Sequence, residues 1–290
     1  MKVAVLSDIH GNLPALQTAA AHVESWRPDF VIVNGDIVNR GPLSPQCLHL
    51  VQARQQRHGW QIVRGNHEDY VLECGRSDVA RSGYEDEIMR FAHWTRAQLN
   101  GETAVLRQLP DQRSLWAPDG SELRVTHAAM GNNRAGVYEK TPDGELRRQI
   151  GPPPAVFVTA HTHRPLIRHL DDTLVANVGS VGAPFDADNR LSYGQFTWDR
   201  RGWQAQIVRL AYDYGQTERD YVQSGFLDEG GPLAQLMLVE LRRAGGLIYR
   251  WASRYQEAVL AGEISLKNSV RQLLRDADLR PYLGSPGWEL

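Results

Sequence analysis

The chain has 290 residues, 42% hydrophobic and 23% charged, an ordinary globular composition with enough length for one large core or two smaller ones. A net charge of −2 gives no footprint for a nucleic-acid backbone or an anionic membrane as a stable partner. Its two cysteines, Cys47 and Cys74, stand in unrelated contexts and read as incidental thiols of a reduced protein rather than a disulfide framework.

Short apolar runs alternate with amphipathic stretches, the pattern of an α/β layered fold. The run VAVL (3–6) predicts a buried strand. Four apolar residues before Ser7 and Asp8 are too few for a secretory signal core, which points to a soluble, cytoplasmic protein. GNLPALQTAAAHVESW then predicts a helix with Asn12 as N-cap, Pro14 in the first turn, and Leu13, Leu16, Ala20 and Val23 on one face. DFVIVNGD (29–36) and WQIVRGNH (60–67) predict the second and third strands, with the helix PQCLHLVQARQQ between them. Residues 68–110 look mostly helical. Further strands are expected at 122–129, 154–161, 172–180, 192–199 and 203–210, and the Gly- and Pro-rich segment 131–154 reads as an exposed loop. Beyond about residue 220 the pattern is helical only, with a break at Gly245-Gly246 and Ser265 placed to cap the last helix. The organisation expected is an α/β body over 1–220 and a helical extension over 221–290. In that extension Leu247, Ile248, Trp251, Tyr255 and Val259 form a stripe suited to internal packing, to covering a site, or to a homodimer contact.

The chemistry-bearing residues gather where predicted strands end, the edge at which α/β folds collect ligand sites. Asp8 and His10 end the first strand, Asp36 the second, Asn66 and His67 the third, His127 the strand LRVTH, and His161 and His163 the strand AVFVTAHTH. Each has an ordinary reading alone: a turn residue, a cap, or a satisfied core histidine. Together, eight carboxylate, imidazole and amide groups without a thiolate suit a hard or borderline divalent metal. Eight is too many for one open catalytic ion and about right for two. His161 and His163, at i and i+2, project from one side of an extended strand and can serve one ion each.

The ordered blocks Asp8-x-His10, Gly35-Asp36 with Gly41-Pro42, Gly65-Asn66-His67-Glu68, His127 and His161-x-His163 resemble the calcineurin-like metallophosphoesterases over about residues 1–210. SDIHGNLPAL, HTHRP and NVGSVGAP are most similar to the bacterial and archaeal branch of phosphodiesterases and diadenosine-tetraphosphatase-like enzymes. GDIVNRGPLS and GNHE are closer to the serine/threonine phosphatases and the symmetrical diadenosine tetraphosphatases. The resemblance implies a four-layer α/β sandwich of two packed mixed β-sheets flanked by helices, here with a C-terminal helical extension.

It also implies two divalent transition-metal ions, manganese foremost, with iron, zinc, nickel and cobalt as alternatives. One ion would take Asp8, His10, Asp36 and His163; the other would take Asp36, Asn66, His127 and His161, with Asp36 bridging. A hydroxide between the ions would attack phosphorus. His67 would donate to the phosphate or leaving oxygen, as general acid or as hydrogen-bond donor, and Arg40 would bind phosphate.

The substrate implied is a small phosphodiester or a nucleotide, with a dinucleoside polyphosphate as the natural guess. A phosphoprotein phosphatase and a non-catalytic scaffold, as in the retromer subunit of this fold, are the rival readings. Three positions depart from the family pattern: Ala160 replaces a glycine, Asn39 replaces an acid, and Val178 replaces a proline. None is an expected metal ligand. Tyr138, Phe185 and Tyr193 are candidates for stacking a base, and Arg134 and Arg190 for holding a second phosphate.

Overall fold

A computed structural model describes residues 1–79, 81–277, 279 and 282. The last residues of the expected extension, 283–290, lie outside the described residues. The first half runs β1 (Lys2–Leu6), α1 (Leu13–Trp26), β2 (Phe30–Asn34), α2 (Ser44–His58), β3 (Gln61–Val63), α3 (Asn66–Glu73), α4 (Tyr84–Gln98) and α5 (Ala104–Arg107). Then come β4 (Gln112–Trp116), β5 (Glu122–Thr126), α6 (Asp143–Ile150), β6 (Val156–Thr159), β7 (Leu166–Leu170), β8 (Thr173–Asn177), β9 (Leu191–Asp199) and β10 (Gly202–Leu210). α7 (Tyr214–Gln223), α8 (Phe226–Glu229), α9 (Pro232–Arg243), α10 (Ile248–Trp251), α11 (Glu257–Leu260) and α12 (Leu266–Asp276) follow, a π-helical turn over Ala252–Gln256 joining α10 to α11.

Two five-stranded mixed sheets result, ordered β10-β9-β1-β2-β3 and β4-β5-β6-β8-β7. Strand periodicity divides the apolar runs between two cores. Val3 and Val5 of β1 share the inter-sheet core with Val125 of β5 and with Val156 and Val158 of β6. Ala4 and Leu6, pointing the other way, pack with Leu16, Ala20 and Val23 of α1 and with Leu48 and Val51 of α2. On the far face, Phe157 and Val175 meet Leu146 and Ile150 of α6. Central strands buried on both faces are why these runs read as continuous hydrophobics. The expected four-layer α/β sandwich is the observed one.

Asn12 caps α1 by accepting from Ala15 N, and Ser265 caps α12 by accepting from Asn268 N, as the sequence predicts. Three elements were not expected. β4 and β7 are half-exposed edge strands whose polar residues hide the apolar pattern. α6 lies within the segment expected to be loop, and it forms because Leu146 and Ile150 bury one helical face.

Among the described residues no helix is long and apolar enough to cross a membrane. The stripe near the C-terminus is covered within the chain. Leu247, Trp251, Tyr255 and Val259 are buried among Phe91 and Trp94 of α4, Leu233 and Met237 of α9, and Val270 and Leu273 of α12, with Ile248 at the rim. Trp251 is the largest of the fully buried side chains, and its Nε1 donates to Ser269 Oγ at 2.8 Å. Trp251→Ala is expected to cost about 3–5 kcal/mol in urea unfolding. A loss under about 1 kcal/mol would show that these helices are not a packed core.

Candidate metal centre

Asp8 and His10 lie just past β1, Asp36 past β2, His127 past β5, and His161 and His163 past β6, all at one edge of the two sheets. Two local placements differ from the sequence expectation. β3 stops at Val63, so Asn66 and His67 open the first turn of α3 instead of ending a strand. His161 and His163 lie in a turn beyond β6 with left-handed φ of 66° and 57°, so strand alternation does not aim them. They still separate: His163 joins Asp8, His10 and Asp36, while His161 joins Asp36 and His127, each set with ligand-type atoms within 4.8 Å of one another.

Both aspartates are buried, and each commits one oxygen to a backbone amide. Asp8 Oδ2 accepts from His161 N at 3.2 Å, and Asp36 Oδ1 accepts from His67 N at 2.9 Å. The other oxygens, Asp8 Oδ1 and Asp36 Oδ2, are buried without a hydrogen-bond partner. Asp36 Oδ2 lies 3.6 Å from His10 Nε2 and 3.3 Å from His127 Nε2, and Asp8 Oδ1 lies 3.2 Å from His163 Nε2. One oxygen of Asp36, rather than one to each side, thus faces both clusters.

The imidazoles are turned to match. Nδ1 of His10, His127 and His163 faces the backbone carbonyls of Asn39, Asn34 and Ala183, which directs each Nε2 inward. Asn66 Oδ1 joins the second cluster, 3.1 Å from His127 Nε2 and 2.8 Å from His161 Nδ1. Bare carboxylate oxygens facing inward imidazole nitrogens, with no sulfur, are a donor set that fits divalent cations.

Burial lowers His10 well below the usual imidazole range and lowers His67 to about 3 and His161 to about 4, so all three are neutral at pH 7. For His127 burial pulls down as well, but the facing Asp36 carboxylate outweighs it and lifts the ring to about 10. Asp36 itself is held well below the carboxylate range: burial opposes ionisation, and His127 overcomes it. Asp36 therefore draws positive charge to the boundary between the clusters.

The backbone that aims these groups is strained. Of the twelve non-glycine residues with positive φ among those described, seven are here: Asp8, His10, Asp36, Asn39, Arg40, His161 and His163. Such conformations persist only where the surroundings enforce them. Glu68 does much of that. Its fully buried carboxylate accepts from the amides of Asp36, Ile37, Val38 and Gly65 at 2.8–3.3 Å. Asn177 donates to Ala160 O and Thr162 Oγ1 and so holds the turn carrying both histidines. Asn34 Nδ2 donates to Thr126 O, tying β2 to β5 across the sheets. Sequence reasoning assigned no role to these three. Gly65-x-x-Glu68, a capping-box spacing with glycine at the cap, was the one available signal.

His67 and Arg40 flank the clusters. His67 Nδ1 meets Asn39 Nδ2 at 3.0 Å. The Arg40 guanidinium pairs with Glu240 of α9 and lies 5.5 Å from the centre of the Phe185 ring, which stacks on His163 at 4.2 Å. Glu240 also accepts from the amides of Leu247 and Ile248, so the C-terminal helices fix Arg40.

The expected substrate-stacking aromatics divide. Phe185 is already stacked, Tyr193 is buried within β9, and Tyr138 is exposed. Arg134 and Arg190 are engaged by Glu73 and Asp188.

Two mixed sheets with clustered aspartates and histidines at one shared edge define an α/β phosphoesterase-type sandwich. The family description calcineurin-like phosphoesterase matches residues 1–174, and the chain belongs to that family. Protein MJ0912 of Methanocaldococcus jannaschii is 24% identical over 226 residues, covering 73% of this chain and 88% of that protein. The metallophosphoesterase from Sphaerobacter thermophilus has a similar fold, with a TM-score of 0.65 at 22% identity, covering 84% of this chain and all of the other. Protein PH1004 of Pyrococcus horikoshii superposes with a TM-score of 0.67 at 18% identity, covering 79% of this chain and 95% of that one.

Glu68→Ala removes the acceptor of four buried amides, each worth about 1–3 kcal/mol when left unpaired. The expected result is a large drop in thermal stability with weakened ion uptake, and a smaller drop for Glu68→Gln, which keeps one acceptor oxygen. Wild-type melting of Glu68→Ala would contradict this role.

Proposed function

We propose that the protein is a dinuclear-metal-dependent phosphoester hydrolase acting on a small phosphodiester or a nucleotide, a dinucleoside polyphosphate being the favoured candidate. The observation that carries this reading is the single Asp36 oxygen, buried and unpartnered, that faces His10 on one side and His127 on the other. Asp8, His10, Asp36 and His163 are assigned to one ion, and Asp36, Asn66, His127 and His161 to its neighbour. Manganese is the metal put first on the family resemblance, and the carboxylate, imidazole and amide set also suits iron, zinc, nickel or cobalt. Divalent ions bound there supply Lewis acidity toward phosphoryl oxygens and depress the pKa of water.

The chain's own groups do the rest. Arg40, held by Glu240, offers charge to the non-bridging phosphate oxygens, where phosphoryl transfer most needs it. His67 hydrogen-bonds the phosphate or leaving oxygen. Phe185, stacked on His163 and 5.5 Å from the Arg40 guanidinium, packs between them. The Arg40 side chain is only 12% exposed, so the site is recessed and partly walled by α9. A recessed arginine favours a small ester over the flat surface of a phosphoprotein. Both cysteines are free and buried, which supports a reducing, cytoplasmic setting.

The test compares bis(4-nitrophenyl) phosphate, 4-nitrophenyl phosphate, diadenosine tetraphosphate and a phosphopeptide with and without Mn²⁺. Manganese-stimulated turnover of the diester or the dinucleotide is expected, falling at least about 100-fold in Asp36→Asn. Preference for the phosphopeptide would replace this reading with a phosphoprotein phosphatase. Failure to turn over any of the four would contradict it.

A further inference from the structure

The side chain of Asn39 has its orientation fixed by its neighbours. Its Oδ1 lies 3.0 Å from Arg40 N, a backbone amide that can only donate, and 3.3 Å from the Thr95 hydroxyl. The other end of the carboxamide, Nδ2, therefore faces His67 Nδ1 at 3.0 Å. An amide NH₂ has no lone pair to offer, so His67 Nδ1 must accept and the ring proton must sit on Nε2. Asn39 is fully buried, and His67 is held edge-on to His10 and Tyr70 at 4.9 and 5.2 Å. Placing a second proton on Nδ1 would set N–H against N–H. Turning the carboxamide to relieve that clash would strip the Arg40 amide of its acceptor.

We propose that Asn39 fixes His67 as a hydrogen-bond donor through Nε2, and that the site therefore acts on phosphoryl groups whose leaving oxygen departs as an anion, namely phosphoanhydrides and aryl phosphoesters rather than alkyl ones. This deepens the hydrolase reading and rests on it. In the reaction a water oxygen forms the new P–O bond and the P–O bond to the leaving group breaks. The bonding pair leaves with that oxygen, and the proton lost by water passes to solvent. His67 Nε2–H stabilises the departing oxygen and keeps its proton, because a neutral imidazole that gave it up would be left as an imidazolate. A leaving group too basic to depart as an anion gains little from such a donor. A carboxylate at position 39 would instead accept from Nδ1–H and support a doubly protonated ring.

Two readouts test this. The first is the ¹⁵N–¹H long-range spectrum of the purified zinc-loaded protein, with His67→Ala for assignment. It is expected to show His67 protonated on Nε2 alone at neutral pH, with protonation moving to Nδ1 in Asn39→Asp. The second is the ratio of wild-type to His67→Ala kcat/KM across aryl phosphodiesters of graded leaving-group acidity. A uniform factor, roughly 10- to 100-fold, is expected for a hydrogen bond to a charged oxygen. A wild-type ring protonated on Nδ1, or a factor that climbs steadily with leaving-group pKa, would overturn the proposal. If neither an aryl ester nor diadenosine tetraphosphate is turned over the hydrolase reading fails, and the spectrum alone then decides the tautomer.

Discussion

Two carboxylates, Asp8 and Asp36, are buried, and each has one oxygen that makes no full hydrogen bond within the protein and faces imidazole nitrogens at 3.2–3.6 Å. A buried charge in that condition costs several kcal/mol unless positive charge answers it. Most of the site follows from this constraint. Imidazoles from three loops converge on the bare oxygens, and a backbone carbonyl behind each turns its Nε2 inward. The chain answers part of the charge itself, through the raised affinity of His127 for a proton. A pair of divalent ions, as proposed, would answer the whole of it.

Convergence of this kind needs backbone conformations that aspartate and histidine tolerate better than most residues but do not prefer. The left-handed residues cluster at the ends of β1, β2 and β6, and two of these bends are held by a buried polar group: Glu68 at the Asp36 loop and Asn177 at the His161–His163 turn. The two-sheet core supplies the rigid frame, and Asn34 locks one sheet to the other beside His127. The C-terminal helices reach the site at Arg40, whose carbonyl accepts from the Tyr221 hydroxyl of α7 at 3.0 Å. Glu240, buried in α9, holds Arg40 and at the same time organises the turn into α10. Stability of a distant helical layer and placement of the Arg40 guanidinium thereby depend on the same interaction.

Much of this was legible in the sequence, because burial on both faces of a strand leaves an unbroken apolar run and the loop after each run holds the polar residues. VAVL, FVIV and VFV are such runs, and Asp8, Asp36 and His161 follow them, while LRVT ahead of His127 is interrupted by Arg124. The edge strands β4 and β7 were not legible, since QRSLW holds three polar residues in five and Arg168 and His169 break the apolar run of LIRHL. Nor was the aim of His161 and His163, which left-handed turns set rather than strand alternation. Asn39 was visible as a departure from the family pattern. Its consequence depends on where its amide points, which only the positions of the Arg40 amide and His67 reveal. Glu240 lies two hundred residues from Arg40 in the chain, and no local pattern connects them.

The most direct measurement is the number and coupling of bound ions, by calorimetric titration with Mn²⁺ and elemental analysis of wild type, Asp8→Asn and Asp36→Asn. Asp8 faces one cluster and Asp36 faces both. The account predicts two ions per wild-type chain, one weakened by loss of the Asp8 charge and both weakened by loss of the Asp36 charge. A single ion in wild type, or one ion held at wild-type affinity in Asp36→Asn, would contradict it.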